Sequence, residues 1–141
     1  MDSTDNKKLI RHVFGELVSG NPRPLLEIMA DDFRFVITGS TAWSRAYEGR
    51  QAVLDELFTP LMAAIDGRPV NVPVRFIADG EFVVVETKGN NRTRRGMEYN
   101  NSICNVLRLE AGMLKEWTEY SDTLLGAAAL GDPADWRVSA G

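Results

Sequence analysis

Apolar residues recur at helical spacing early in the chain: Leu9, Ile10, Val13, Phe14, Leu17 and Val18 form one stripe. Asp5 is placed to cap that helix, and Gly20-Asn21-Pro22 ends it. A shorter helix follows through Leu25, Leu26, Ile28 and Met29 and breaks at Asp31-Asp32. Phe33 to Ile37, with two aromatic and two β-branched residues, switches to the strand pattern. Residues 39–48, GSTAWSRAYE, read as a loop that carries Trp43 and Tyr47. Gly49 opens a third helix whose stripe is Val53, Leu54, Leu57, Phe58, Leu61, Met62 and Ile65. Pro60 lies inside the stripe and predicts a kink or split there.

The second half reads as strands. The first runs from Val70 to Ala78, and Asp79-Gly80 turns it into a second, Phe82 to Lys88. A basic loop, GNNRTRRG, leads to a long strand over about 97–109, and Glu110-Ala111-Gly112 turns into a last strand from Leu114 to about Thr123. The Ala- and Gly-rich tail predicts one short helical turn and a loose end. Helices first and strands afterwards predict an α+β fold. In the long strand, Ile103 and Leu107 share one parity while Cys104 and Val106 share the other. A sheet apolar on both faces needs cover on both. Helices are available for one face only, so a second copy of the chain is expected on the convex face, as a homodimer.

Composition narrows the function classes. The chain has 141 residues, 44% hydrophobic and 26% charged, with a net charge of -4. That size fits one domain with one core, about residues 8–125 of 1–141. A mildly acidic chain lacks the basic footprint that nucleic acid or an anionic membrane requires. The N-terminus, MDSTDNKK, has no apolar run after its lysines, so a cytoplasmic location is expected. The N-x-S/T matches at Asn91 and Asn100 then carry no meaning. One histidine and one cysteine cannot build a usual metal site, and no dinucleotide fingerprint is present. A cofactor-free protein is expected.

Three stretches carry a resemblance: FGELVSGNPRPLLEIMADDFRFVITG, YEGRQAV with the later LFTPL, and YNNSICNVLRLEAGMLKEWTEYSDT. They resemble the nuclear-transport-factor-2-like superfamily, which includes ketosteroid isomerases, SnoaL-like polyketide cyclases and limonene-1,2-epoxide hydrolase. The resemblance implies a cystatin-like cone: a curved antiparallel sheet wrapped around a long N-terminal helix and enclosing a pocket. Members of this superfold do different chemistries, so the fold does not fix the reaction. Carried over from the epoxide hydrolase, Glu119 matches the late acid and Glu86 the second acid. Val84 stands where an arginine is expected, and Phe35 and Ile37 stand where the water-holding tyrosine and asparagine are expected.

The same residues read by themselves give two carboxyls in apolar strands, FVVVETK and LKEWTEYSD. A pocket shared by both would raise the pKa of each, leaving one as acid and one as base. Asn101 would then orient an acid or polarise a substrate carbonyl. The competing reading has both glutamates facing water and paired with Lys88, Lys115 or the arginines at 92–95. Asp122 reads as a turn or cap residue, His12 as surface, and Cys104 as inert. The expected pocket wall is Phe14, Leu17, Phe35, Ile37, Leu57, Met62, Val84 and Ile103, with Trp43 and Tyr47 at the mouth as a lid or a plug. Two functions follow. One is a cofactor-free isomerase, cyclase or hydrolase of a small hydrophobic molecule, using carboxylate acid-base catalysis. The other is a non-catalytic module that binds such a molecule.

Overall fold

The computed structural model describes residues 1–137. Helix α1, Ser3–Val18, starts earlier than the apolar stripe requires, because Asp2 caps it: the Asp2 carboxylate accepts from the Asp5 backbone N–H at 2.9 Å. Helix α2, Arg23–Ile28, has Pro24 in its first turn and runs directly into strand β1, Met29–Ile37. Part of the segment read as loop is strand β2, Ala46–Glu48, which pairs antiparallel with β1.

The third helical segment is split as Pro60 demands. It comprises α3, Arg50–Ala52, a π-helical stretch at Val53–Phe58, and α4, Thr59–Ala64. Pro60 has no N–H, and its ring would strike the carbonyl of the preceding turn in a regular helix. The wide turn relieves both problems at the start of α4, with the Thr59 N–H reaching back to the Leu54 carbonyl.

Strands β3 (Asn71–Asp79), β4 (Phe82–Gly89), β5 (Ser102–Glu110) and β6 (Met113–Ser121) complete a six-stranded sheet in the order β2-β1-β6-β5-β4-β3. All neighbours are antiparallel except β1 and β6. Strand β5 starts later than the apolar pattern suggests. The stretch before it is held in a side-chain network and in the isolated bridges Ile65–Thr93 and Arg92–Glu98. The β5–β6 turn places Ala111 and Gly112 both at positive φ, the twist a two-residue hairpin needs.

Alternation along the strands separates two faces. Phe35, Val83, Val85, Leu107 and Trp117 are buried on the concave side, where α1 crosses the sheet. The ring of Phe14 on α1 packs edge-on against Phe76 and tilted against Trp117. The described part of the tail is more ordered than the short helical turn and loose end expected of it. Residues 123–130 form α5, Thr123–Leu130, and a 3-10 turn follows at Pro133–Trp136. Trp43 Nε1 donates to the Gly131 carbonyl at 3.0 Å, and Arg95 stacks on Trp136 and pairs with Asp135. Residues 138–141, the last of the tail expected to be loose, lie outside the described residues. No helix among the described residues is long and apolar enough to cross a membrane.

Candidate functional site

The concave face and the helices enclose a cavity with two lobes. The tail-side lobe has a volume of about 90 Å³ and is closed by Trp43, Thr123 and Leu130. The helix-side lobe is larger, about 280 Å³, and opens between the end of α1 and α4. The two share Phe35, Phe58, Leu61, Pro69, Asn71, Ile103 and Glu119 as common wall.

Glu119 reaches this wall by strand parity. It stands beside Ile37 of β1 and opposite Asn105 of β5, both inward positions. Its own surface is only half-buried because it opens on the cavity, but protein surrounds the carboxyl on every other side. That burial pushes its pKa up to about 7. The Glu119 main-chain carbonyl accepts from the N–H and hydroxyl of Thr38. Among the described residues, no hydrogen bond or ion pair reaches its carboxylate.

Around Glu119 the wall is aromatic. Phe35 and Trp117 stack with centroids 5.0 Å apart, and Phe58 meets Phe35 edge-on at 5.9 Å. Trp117 is held in place by its indole N–H, which donates to Asn105 Oδ1 at 3.0 Å. Asn105 spends its remaining donors on the Val85 carbonyl and the Thr87 hydroxyl, at 2.9 and 3.3 Å. It is therefore a buried, saturated support for the aromatic wall, and its parity shared with Ile103 and Leu107 marks it as inward-facing in the sequence itself.

Two expected catalytic residues lie elsewhere. Glu86 faces the convex side, paired with Arg75 at 3.2 Å and with 41% of its side chain exposed. The reason is parity: Val83, Val85 and Thr87 of β4 point inward, so Val84 and Glu86 point outward. Val84 therefore leaves the expected pocket wall too. Asn101 is 1% exposed and fully engaged. Its Oδ1 accepts from the Asp122 N–H, and its Nδ2 donates to the Asp122 carbonyl and to Tyr99 Oη. It ties the start of β5 to the end of β6 rather than facing a ligand. Asp122 itself caps α5 through the Leu125 N–H.

Of the expected wall residues, Phe14, Leu17 and Met62 line the helix-side lobe. Ile37, Trp43 and Leu57 line the tail-side lobe, and Phe35 and Ile103 line both. Tyr47 is buried behind the wall, with its hydroxyl donating to the Trp43 carbonyl at 2.8 Å. It supports Trp43 instead of meeting the cavity. The polar lining residues that the sequence reading missed include Tyr99, Asn71 and Asn105. Asn71 is the first residue of β3 and Tyr99 lies before β5, so their inward placement depends on the turns that flank those strands.

A curved six-stranded sheet closed over an N-terminal helix is the α+β fold of nuclear-transport-factor-2-like and ketosteroid-isomerase-like proteins. Within that class the chain belongs to the SnoaL-like domain family, whose model matches residues 10–117. Among curated proteins, no sequence matches the chain. Solved structures of similar fold include a nuclear-transport-factor-2-like protein from Burkholderia xenovorans. It has a TM-score of 0.74 and 22% identity, covering 93% of this chain and 99% of that one. A protein with a cystatin-like fold from Xanthomonas campestris gives 0.78 at 20% identity, covering 93% and 99%. A protein with a ketosteroid-isomerase-like fold from Catenulispora acidiphila, in complex with trimethylamine, gives 0.70 at 18% identity, covering 92% and 97%.

Proposed function

We propose that the protein is a cofactor-free acid-base catalyst acting on a small, mostly apolar molecule held in the cone, with Glu119 as the proton carrier. The observation that carries this reading is one carboxyl, free of protein partners among the described residues, on the shared wall of two apolar lobes and with a pKa of about 7. A group that titrates at neutral pH is populated both as base and as acid, which suits a step that removes a proton and returns it elsewhere. Isomerisation and ring closure have that form. With Glu86 outside the cavity, a reaction needing two acids is disfavoured.

The test combines a titration with a turnover assay. The Glu119 side-chain carbon signal should titrate near pH 7. Among neutral two- and three-ring ketones, lactones and epoxides, any conversion should fall by roughly a hundredfold or more in Glu119→Gln, the scale of general acid–base catalysis. A Glu119 signal titrating near 4.5, or conversion indifferent to Glu119→Gln, overturns the reading.

The second reading, a non-catalytic module for small apolar ligands, draws on the same cavity and on its single acid. Saturable binding of such compounds with no conversion of any of them decides for it.

The protein is further proposed to work as a homodimer through the convex face. Ile77, Val84, Val106, Thr118 and Val36 are in register across β3, β4, β5, β6 and β1, and they give that face a transverse row that is apolar but for the Thr118 hydroxyl. Tyr120, 51% exposed, stands beside it.

A further inference from the structure

The helix-side lobe carries charge at two depths. Among the described residues, its charged lining side chains are Glu119 and Arg68. Glu119 also faces the tail-side lobe, so it stands on the inner wall. Arg68 lines the helix-side lobe alone and is exposed. The helices flanking that lobe give it an apolar lining, with Phe14 and Leu17 from α1 and Leu61 and Met62 from α4.

The chain fixes Arg68 at the mouth. It sits in Gly67-Arg68-Pro69, between α4 and β3. Pro69 lines both lobes and restricts the residue before it to an extended backbone. The Arg68 side chain crosses to the opposite rim, where the chain leaves α1: a Cβ on Gly20 would stand 2.5 Å from Arg68 Nη1. Gly20 has a φ of +87°, so it both makes that turn and leaves room for the guanidinium. On the sheet, Arg34, Arg75 and Arg108 are paired with glutamates. Arg68 has no ion pair or hydrogen bond among the described residues. Glu16, the acid one turn back from Gly20, accepts instead from Asn21 Nδ2 at 3.0 Å.

We propose that Arg68 is an anion site at the mouth of the cone, and that the protein takes amphipathic acids: molecules with an apolar body for the lobe and one carboxylate left at the rim. The proposal rests on the reading of the cone as a ligand site and names the ligand class and its direction. A guanidinium matches a carboxylate in two parallel hydrogen bonds. At an exposed rim both partners keep part of their water, so the pair escapes the desolvation cost of a buried one. At the inner end, the Glu119 carboxyl disfavours a second negative charge beside it. Both ends favour the same orientation, body inward and carboxylate outward. The atoms that meet Glu119 then belong to the apolar body.

The test uses 2-naphthoate and 2-naphthamide, which share a shape and differ in charge, titrated against the full-length protein by NMR at low salt. At about pH 6 the naphthoate is ionised and Glu119 is largely protonated. Arg68→Met keeps the stem and removes the charge. It should weaken naphthoate about fivefold, the upper range for an exposed ion pair, and change naphthamide less than about twofold. Raising salt from about 0.01 M to about 0.15 M shortens the screening length from roughly 30 Å to about 8 Å. That should weaken naphthoate in the wild type and leave Arg68→Met unaffected. Ring-proton contacts should place the unsubstituted ring against Phe35 and Trp117, and the carboxylate-bearing ring toward Leu17 and Met62.

The proposal is overturned if Arg68→Met weakens both probes alike or neither, if salt acts equally on wild type and variant, or if the carboxylate-bearing ring lies against Phe35 and Trp117. Naphthamide binding, with naphthoate indifferent to Arg68, removes the rim site and leaves the catalytic reading standing. A naphthoate site that depends on Arg68, in a protein whose Glu119 titrates near 4.5, does the reverse. Failure of the wild type to bind either probe overturns the rim site together with the cone as a site for such molecules.

Discussion

Glu86 and Glu119 are glutamates in equally apolar strands, and what separates them is which face of the sheet each occupies. Glu86 pairs with Arg75 in the open, a contact typically worth less than about 1 kcal/mol. Glu119 faces a cavity that disfavours its charge, with its pKa raised from 4.5 to about 7. A raised folded-state value means that ionisation costs stability. The deficit is absent below about pH 4.5, grows as pH rises toward 7, and stays constant above, with an upper limit of about 3.5 kcal/mol at ~1.4 kcal/mol per pKa unit. Glu119→Gln keeps the shape and removes the charge. It should leave the protein folded, and its stability relative to wild type should increase between pH 4.5 and 7 in denaturant titrations. A variant that unfolds, or a pH-independent difference, would make Glu119 a structural partner instead. Gly89 is needed for space rather than for its conformation. A Cβ there would stand 3.0 Å from Asn71 Oδ1, 3.1 Å from Asn91 Nδ2 and 3.3 Å from the Asn101 main-chain N. Gly89→Ala should cost about 1–3 kcal/mol, the range for overpacking. An unchanged melting temperature would show that the asparagine network yields without strain.

At the level of elements, the split third helix and the ordered tail shape the cavity. The π-helical stretch that accommodates Pro60 carries Leu57 and Phe58 into the wall. Helix α5 supplies Leu130 to close the tail-side lobe, and Gly131 beyond it accepts from Trp43. The α5 helix is short, has no charged residue in its first turn, and relies on the Asp122 side chain for its start. Asp122→Ala should therefore cost about 1 kcal/mol, with Asn at the same position recovering most of it. Hydrogen exchange should rise first in α5. Exchange that rises instead in β5 and β6, with α5 unchanged, would place the role of Asp122 in the strand ends.

At the level of the whole molecule, the two faces of the sheet differ in kind. The concave face is closed by helices and, among the described residues that line its cavity, carries one acid, Glu119. The convex face carries an apolar row, flanked by an ionic row in which Arg108 meets Glu81, Glu110 and Glu116, and Arg34 meets Glu48. Such a face suits a second copy of the chain. Light scattering at micromolar concentration should give twice the mass of the chain, and Val106→Lys should halve it, because the lysine would stand at the middle of the apolar row. A monomeric wild type would refute the homodimer.

The sequence by itself determined the order and type of most elements, the break at Pro60, the α+β class and the resemblance that implies a cone. These depend on local spacing, on turn residues and on the chemistry of proline, all of which can be read in one dimension. The resemblance pointed to Glu119, and the expected wall came from apolar periodicity in both helices and strands. That Glu119 stands beside Ile37 and opposite Asn105 is a matter of pairing between distant strands. What only the tertiary structure decided was which parity of β4 faces inward. That choice belongs to the packing of α1 against the sheet, and it sent Glu86 and Val84 outward. The saturation of Asn101 was likewise decided by long-range partners, as were the service of Asn105 to Trp117 and the tail's closure over Trp43. Hydrogen-bond capacity is spent between residues far apart in sequence, so which polar groups are saturated becomes visible only when every partner is in place.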